Sequence, residues 1–188
     1  AAPALAMGVD GQTDDVMSRR PRKTTERVID AAMWGNIAFI GIVMAAVTLI
    51  GMDLYLPGGL FTDTPALAAA AGHSHEQQMV MARTMGFTIL VFAQLFNALA
   101  SRSAVKSAFS GMFTNRWLWG AIALSVVLQL AVIYIPVLNT AFGTTPLHWH
   151  QWFEAIALAA CVLAASELYK LAVRVFSKNF SKKGQVLL

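Results

Sequence analysis

Thr84–Ser101 reads TMGFTILVFAQLFNALAS, a stretch with no formal charge between Arg83 and Arg102. About eighteen such residues, coiled as a helix, cross most of the hydrocarbon core of a bilayer. Two large polar side chains interrupt it, Gln94 and Asn97. At about 100° per residue, Gln94, Asn97 and Ser101 fall within about 60° of one another, with Ala98 beside them. Ile89, Phe92, Leu95, Phe96 and Leu99 occupy the opposite arc. This pattern predicts a greasy arc turned to lipid and a small, amide-bearing arc turned to protein or to a solute path. A carboxamide in hydrocarbon costs free energy unless it is partnered. Gln94 and Asn97 are therefore either interhelical packing contacts or ligands.

The whole chain has the same character. Of its 188 residues, 57% are hydrophobic and only 13% charged, and mean hydropathy is +0.58. Soluble domains carry about 25% charged residues, so the totals point to an integral membrane protein. The single cysteine, Cys161, excludes an internal disulfide and offers no metal-site spacing; a buried, inert thiol is the expectation. The net charge of +4 is small and unevenly spread, which bears on topology and not on nucleic-acid binding. The chain opens AAPALAMG, with no Met and no basic-then-apolar signal segment, and reads as a sequence that starts within a longer protein.

Working outward, apolar stretches place three more spans, at 34–52 and 117–135, both without charge, and at 148–170, with Glu154 and Glu167 towards its two ends, beside 84–101. In the first, Gly35, Gly41, Ala45, Ala46 and Gly51 allow close helix contact. Ser125 and Gln129 share a face of the third. In the fourth, Glu167 and Lys170 are three apart and can pair at the inner boundary. Connecting segments are 1–33, 53–83, 102–116, 136–147 and 171–188. His73, His75 and Glu76 read as a solvated loop with too few spaced ligands for a closed metal site, and His148 and His150 as interfacial histidines.

Lys and Arg cluster in 19–27, 102–116 and 170–183 and are missing from 53–82 and 136–147. Four spans with both ends on the cytoplasmic side satisfy the positive-inside rule at every loop. Trp34, Trp117, Trp119 and Tyr169 then fall at inner boundaries, and Tyr55, Tyr134, Trp149 and Trp152 at outer ones. The fold expected is an all-α, integral membrane four-helix bundle with a cytoplasmic N-terminal loop and C-terminal tail. No phosphate-binding loop or nucleophile motif is visible.

Three motifs go beyond this. PALAMGVD at the start, followed by DDVMSRRPR (Asp14–Arg22), resembles the loop after the sixth membrane helix of P-type cation pumps. FAQLFNALASRS (Phe92–Ser103) is similar to their eighth helix, and Trp152 with Glu167-Leu-Tyr-Lys170 to their last. The resemblance covers nearly the whole chain in order. It implies helices seven to ten of a calcium-transporting type of pump, in a plasma (inner) membrane. The partners implied are the remaining membrane helices, the phosphorylation domain, the lipid bilayer and the transported cation. Mg and ATP serve the full-length pump; no catalytic or cofactor site is implied in this chain.

By the same resemblance, Gln94 aligns with a cation-site position, and Asn97 is a weaker candidate beside it. Some calcium pumps carry Glu at that position and others Gln. A neutral amide weakens a second divalent site, so a single-ion stoichiometry is implied. Asp15, Met17, Arg19, Pro21 and Arg22 align with a cytoplasmic coupling loop, although Thr13, Ser18 and Arg20 depart from its pattern. Two alternatives stand beside this reading: a pump of the same fold that moves another cation, and a stand-alone four-span scaffold.

Overall fold

The computed structural model describes residues 2–9, 31–61, 72, 74–101 and 115–185. Their regular structure is helical throughout: α1 (Ala2–Met7), α2 (Ala31–Asp53), α3 (His75–Ala100), α4 (Arg116–Tyr134), α5 (Pro136–Phe142) and α6 (Trp149–Gln185). Four helices contain segments long and apolar enough to cross a membrane, namely Met33–Asp53, His75–Ala100, Arg116–Tyr134 and Trp149–Val175. The chain is an all-α, integral membrane helical bundle, as its hydropathy predicts. Asp15, Met17, Arg19, Pro21, Arg22 and His73 lie outside the described residues.

Helix ends depart from the predicted spans for identifiable reasons. α3 starts at His75, because Ser74 and Gln77 form a reciprocal capping box. The Ser74 Oγ accepts from the Gln77 N–H at 3.3 Å, and the Gln77 Oε1 accepts from the Ser74 N–H at 3.0 Å. Glu76 adds a carboxylate to the positive end of the helix. His75 and Glu76 therefore sit in a first helical turn and not in a loop. Segment 136–147 holds a short helix, α5, with Pro136 at its first turn and Gly143 ending it at φ +61°. α6 runs on through the predicted tail as far as Gln185.

α3 is the hub. Of its most apolar window 56% is buried, against 17–22% for the other three spans. It packs most extensively on α6 and α2, around a core of Ile40, Val47, Met85, Ile89, Ala93, Ala155, Ala159 and Val162. Two glycines set the α2–α3 crossing. A Cβ on Gly51 would lie 2.0 Å from the Ile89 Cδ1, and one on Gly86 would lie 2.3 Å from the Met52 Cγ. Of the small residues predicted to bring α2 close to a neighbour, Gly51 does so, whereas Ala45 and Ala46 are exposed and Gly41 faces open space.

The predicted orientation of α3 is corrected by this packing. Ile89, Leu95 and Leu99 are buried and Phe92 and Phe96 half-buried, whereas Gln94 and Ser101 are exposed. The greasy arc meets the other helices of the chain, not lipid. Helix association in a membrane relies on close van der Waals packing, and Gly86 and Ala93, at the margin between the two arcs, permit it.

Candidate functional site

One stripe of α3 is left uncovered. Arg83, Phe87, Leu90, Gln94 and Ser101 are exposed and Asn97 is half-buried. These residues follow one another at alternating steps of four and three, which is a single face of a helix. Its C-terminal half carries the amides. The Gln94 carboxamide makes no hydrogen bond among the described residues. The Asn97 Oδ1 lies 3.5 Å from the Ser101 Oγ, at the outer limit of such a bond. Both amide oxygens of the stripe are thus open to a partner from outside the described residues.

The interhelical bonding considered for Gln94 and Asn97 is made elsewhere. The Gln129 Nε2 on α4 donates to the Thr88 Oγ1 on α3 at 3.1 Å, and both residues are buried. Thr88 donates onward to the Thr84 carbonyl at 2.8 Å, and Thr84 donates to the Val80 carbonyl at 2.8 Å. The Thr84 hydroxyl also accepts from the Thr145 N–H at 3.1 Å. Ser125, on the same face as Gln129, returns its hydroxyl to the Ala121 carbonyl at 2.9 Å. Thr84 and Thr88 were legible as a pair four apart, but their partners lie far off in sequence.

The two ends of the bundle are tied by charged or polar residues. At one end, Lys170 is 7% exposed. Its Nζ donates to the Ala100 carbonyl at 2.7 Å and pairs with Glu167 at 3.1 Å. Pairing with Glu167 is as the spacing predicts; the bond to α3 was not visible in the sequence. At the other end, the buried Tyr55 hydroxyl donates to the Glu154 carboxylate. Burial first, then that carboxylate, pushes the Tyr55 phenol well above its usual range. The His148 and His150 rings stack with centroids 5.7 Å apart. Cys161 is exposed, contrary to the expected burial, because its side of α6 faces away from α3.

Calcium-sized cations take six to eight oxygen ligands. No group of three or more His, Cys, Asp or Glu able to hold a metal occurs among the described residues. Gln94 and Asn97 offer carbonyl oxygens but no charge. The described residues can supply one wall of a cation site and not a closed one.

Fold and stripe together define a polytopic helical membrane domain with one polar, uncovered face on its central helix. Residues 1–172 match the family described as cation transporting ATPase, C-terminus, and the chain belongs to that family. Among its relatives, calcium-transporting ATPase 1 of Bacillus cereus is 34% identical over 90% of this chain and 19% of that protein. Endoplasmic reticulum calcium ATPase srcA of Aspergillus fumigatus is 30% identical over 92% of this chain and 19% of the relative. Mouse calcium-transporting ATPase type 2C member 2 is 32% identical over 94% and 17%. The chain therefore spans about a fifth of the length of the curated relatives it matches, and these three are named as calcium or calcium-transporting ATPases.

Proposed function

We propose that this chain supplies the last four membrane helices of an ATP-driven calcium pump. ATP, with Mg, would phosphorylate the pump in a domain outside these residues. The observation that carries the proposal is the uncovered stripe of α3, with Gln94 facing outward from a helix otherwise packed by its neighbours. In this reading Gln94 lends a neutral oxygen to the transported cation or holds a group that does, with Asn97 one turn inward. The negative ligands come from other membrane helices, which favours one calcium ion per cycle. A solute path that opens alternately to either side needs one wall that stays fixed while others move. Gly51, Gly86 and the Gln129–Thr88 bond give α3 that character.

Asp15, Met17, Arg19, Pro21 and Arg22 would form the loop that couples phosphorylation to the helices. Both chain ends would be cytoplasmic, by the distribution of Lys and Arg, and the pump would sit in a plasma (inner) membrane. The full-length parent in sealed vesicles is expected to accumulate ⁴⁵Ca²⁺ when given ATP, and to stop when its phosphorylated Asp is replaced. ATPase activity stimulated by another cation, without calcium uptake, would keep the pump and change the ion. The absence of any cation-stimulated ATPase would leave a scaffold role.

A further inference from the structure

We propose that Lys170 is a positioning residue for the amide stripe of α3, acting through the backbone at the inner end of that helix. The inference rests on the reading of the stripe as a wall of the cation path. A buried ammonium at the edge of a membrane is costly unless it is hydrogen-bonded and paired. Lys170 meets both needs, with the Ala100 carbonyl at 2.7 Å and Glu167 at 3.1 Å. Ala100 is the last residue of α3. Its carbonyl is one of the final four that have no donor within the helix, and it lies at the negative end of the helix dipole. The bond is therefore charge-assisted and directional.

The neighbouring contacts of this end are of another kind. Leu99 is buried against Ala6 and Leu118, an apolar contact that resists separation but has no preferred angle. At this end, rotation or sliding of α3 about its axis is opposed by the directional bond and not by the apolar one, which adds to the Gln129–Thr88 bond further along the helix. α6 is itself held at this level, where Tyr169 stacks on Phe39 of α2 with ring centroids 5.4 Å apart. Gln94 lies about 9 Å along the axis from Ala100, at about 1.5 Å per residue. Asn97 is one turn from the clamp and Gln94 less than two. Lys170 touches neither amide; it fixes the angle at which the helix presents both.

The test uses the full-length pump with Lys170→Met and Lys170→Arg. Two quantities are read: the calcium concentration that half-saturates ATPase activity, and turnover per folded pump after size exclusion. Lys170→Met is expected to raise the half-saturating concentration about ten-fold, the scale of one lost charge-assisted bond. Turnover per folded pump is expected to hold within about two-fold. Lys170→Arg, which keeps a charged donor, is expected to recover most of the shift. A Lys170→Met pump that folds in lower yield but half-saturates as the wild type does would overturn the proposal, since a purely structural residue behaves so. Should that variant not fold, Lys170→Gln is judged by the same criterion. A wild type that ignores calcium removes the calcium reading alone, and the half-saturation is then read with the cation that does stimulate it. If no cation stimulates it, the positioning role falls too.

Discussion

α3 carries two polar arcs, and they have opposite fates. Thr84 and Thr88 are buried, and each hydroxyl donates one bond to and accepts one bond from a named atom of this chain. Gln94 is exposed and unbonded among the described residues, and Asn97 has one loose contact. The threonines also answer to the backbone four residues earlier, so a helix can bury them with little penalty even before α4 arrives. A carboxamide has no such local outlet. Gln129 finds its partner in Thr88; Gln94 keeps its capacity for something else. Polar residues that close on their own chain build the bundle, and those left open are available to a ligand.

Four substitutions in the proposed full-length pump test this contrast. The largest effect is expected from Gly86→Leu, which drives a side chain into Met52 at the α2–α3 crossing. It should destabilise the membrane domain by about 3 kcal/mol, read as loss of a monodisperse folded peak and a lower melting temperature. Gln94→Leu should behave in the reverse manner. Melting should be unchanged, while the half-saturating calcium concentration rises about ten-fold. Unchanged affinity and turnover would take Gln94 out of the cation path.

Thr88→Val strands the buried Gln129 amide and should lower stability by about 1 kcal/mol, with calcium affinity untouched. If affinity moves with it, the closed and open arcs are not independent. The smallest effect concerns Tyr55. Its phenol is held protonated in the folded state above the usual range near pH 10. The stabilisation from this group is therefore complete below about pH 10 and is lost as pH rises beyond it, where the unfolded chain releases the proton first. Melting curves of Tyr55→Phe should show a shallower decline than wild type above about pH 10. Parallel declines would remove Tyr55 as the cause.

The four spans were legible because apolar length is a local property and the bilayer sets its threshold. Which way α3 faces was not. Both arcs of Thr84–Ser101 are uncharged, and nothing within those residues says whether lipid or another helix meets the apolar one. The Ser74–Gln77 capping box was written in the sequence as well, hidden by the histidines beside it. Glu167 and Lys170 were readable as a pair because they are close along one helix. The bond from Lys170 to Ala100 and that from Gln129 to Thr88 join residues far apart in the chain, and only the packed structure brings them together.

The end of α4 has a consequence for the membrane itself. The Asn139 Nδ2 donates to the Ile133 carbonyl at 2.8 Å, and the Thr144 hydroxyl to the Val132 carbonyl at 2.7 Å. Final carbonyls that would otherwise need water are thus satisfied by the turn that follows. α4 has 19 residues and α3 has 26, lengths of about 28 and 39 Å. A hydrocarbon core of about 30 Å fits the first and falls short of the second. Sealing lets the short helix end at the edge of the oil, so α4 gauges bilayer thickness while α3 absorbs the excess by tilting or by leading out through its first turns. In thicker membranes the mismatch falls on α4, and the domain should prefer lipids with shorter acyl chains.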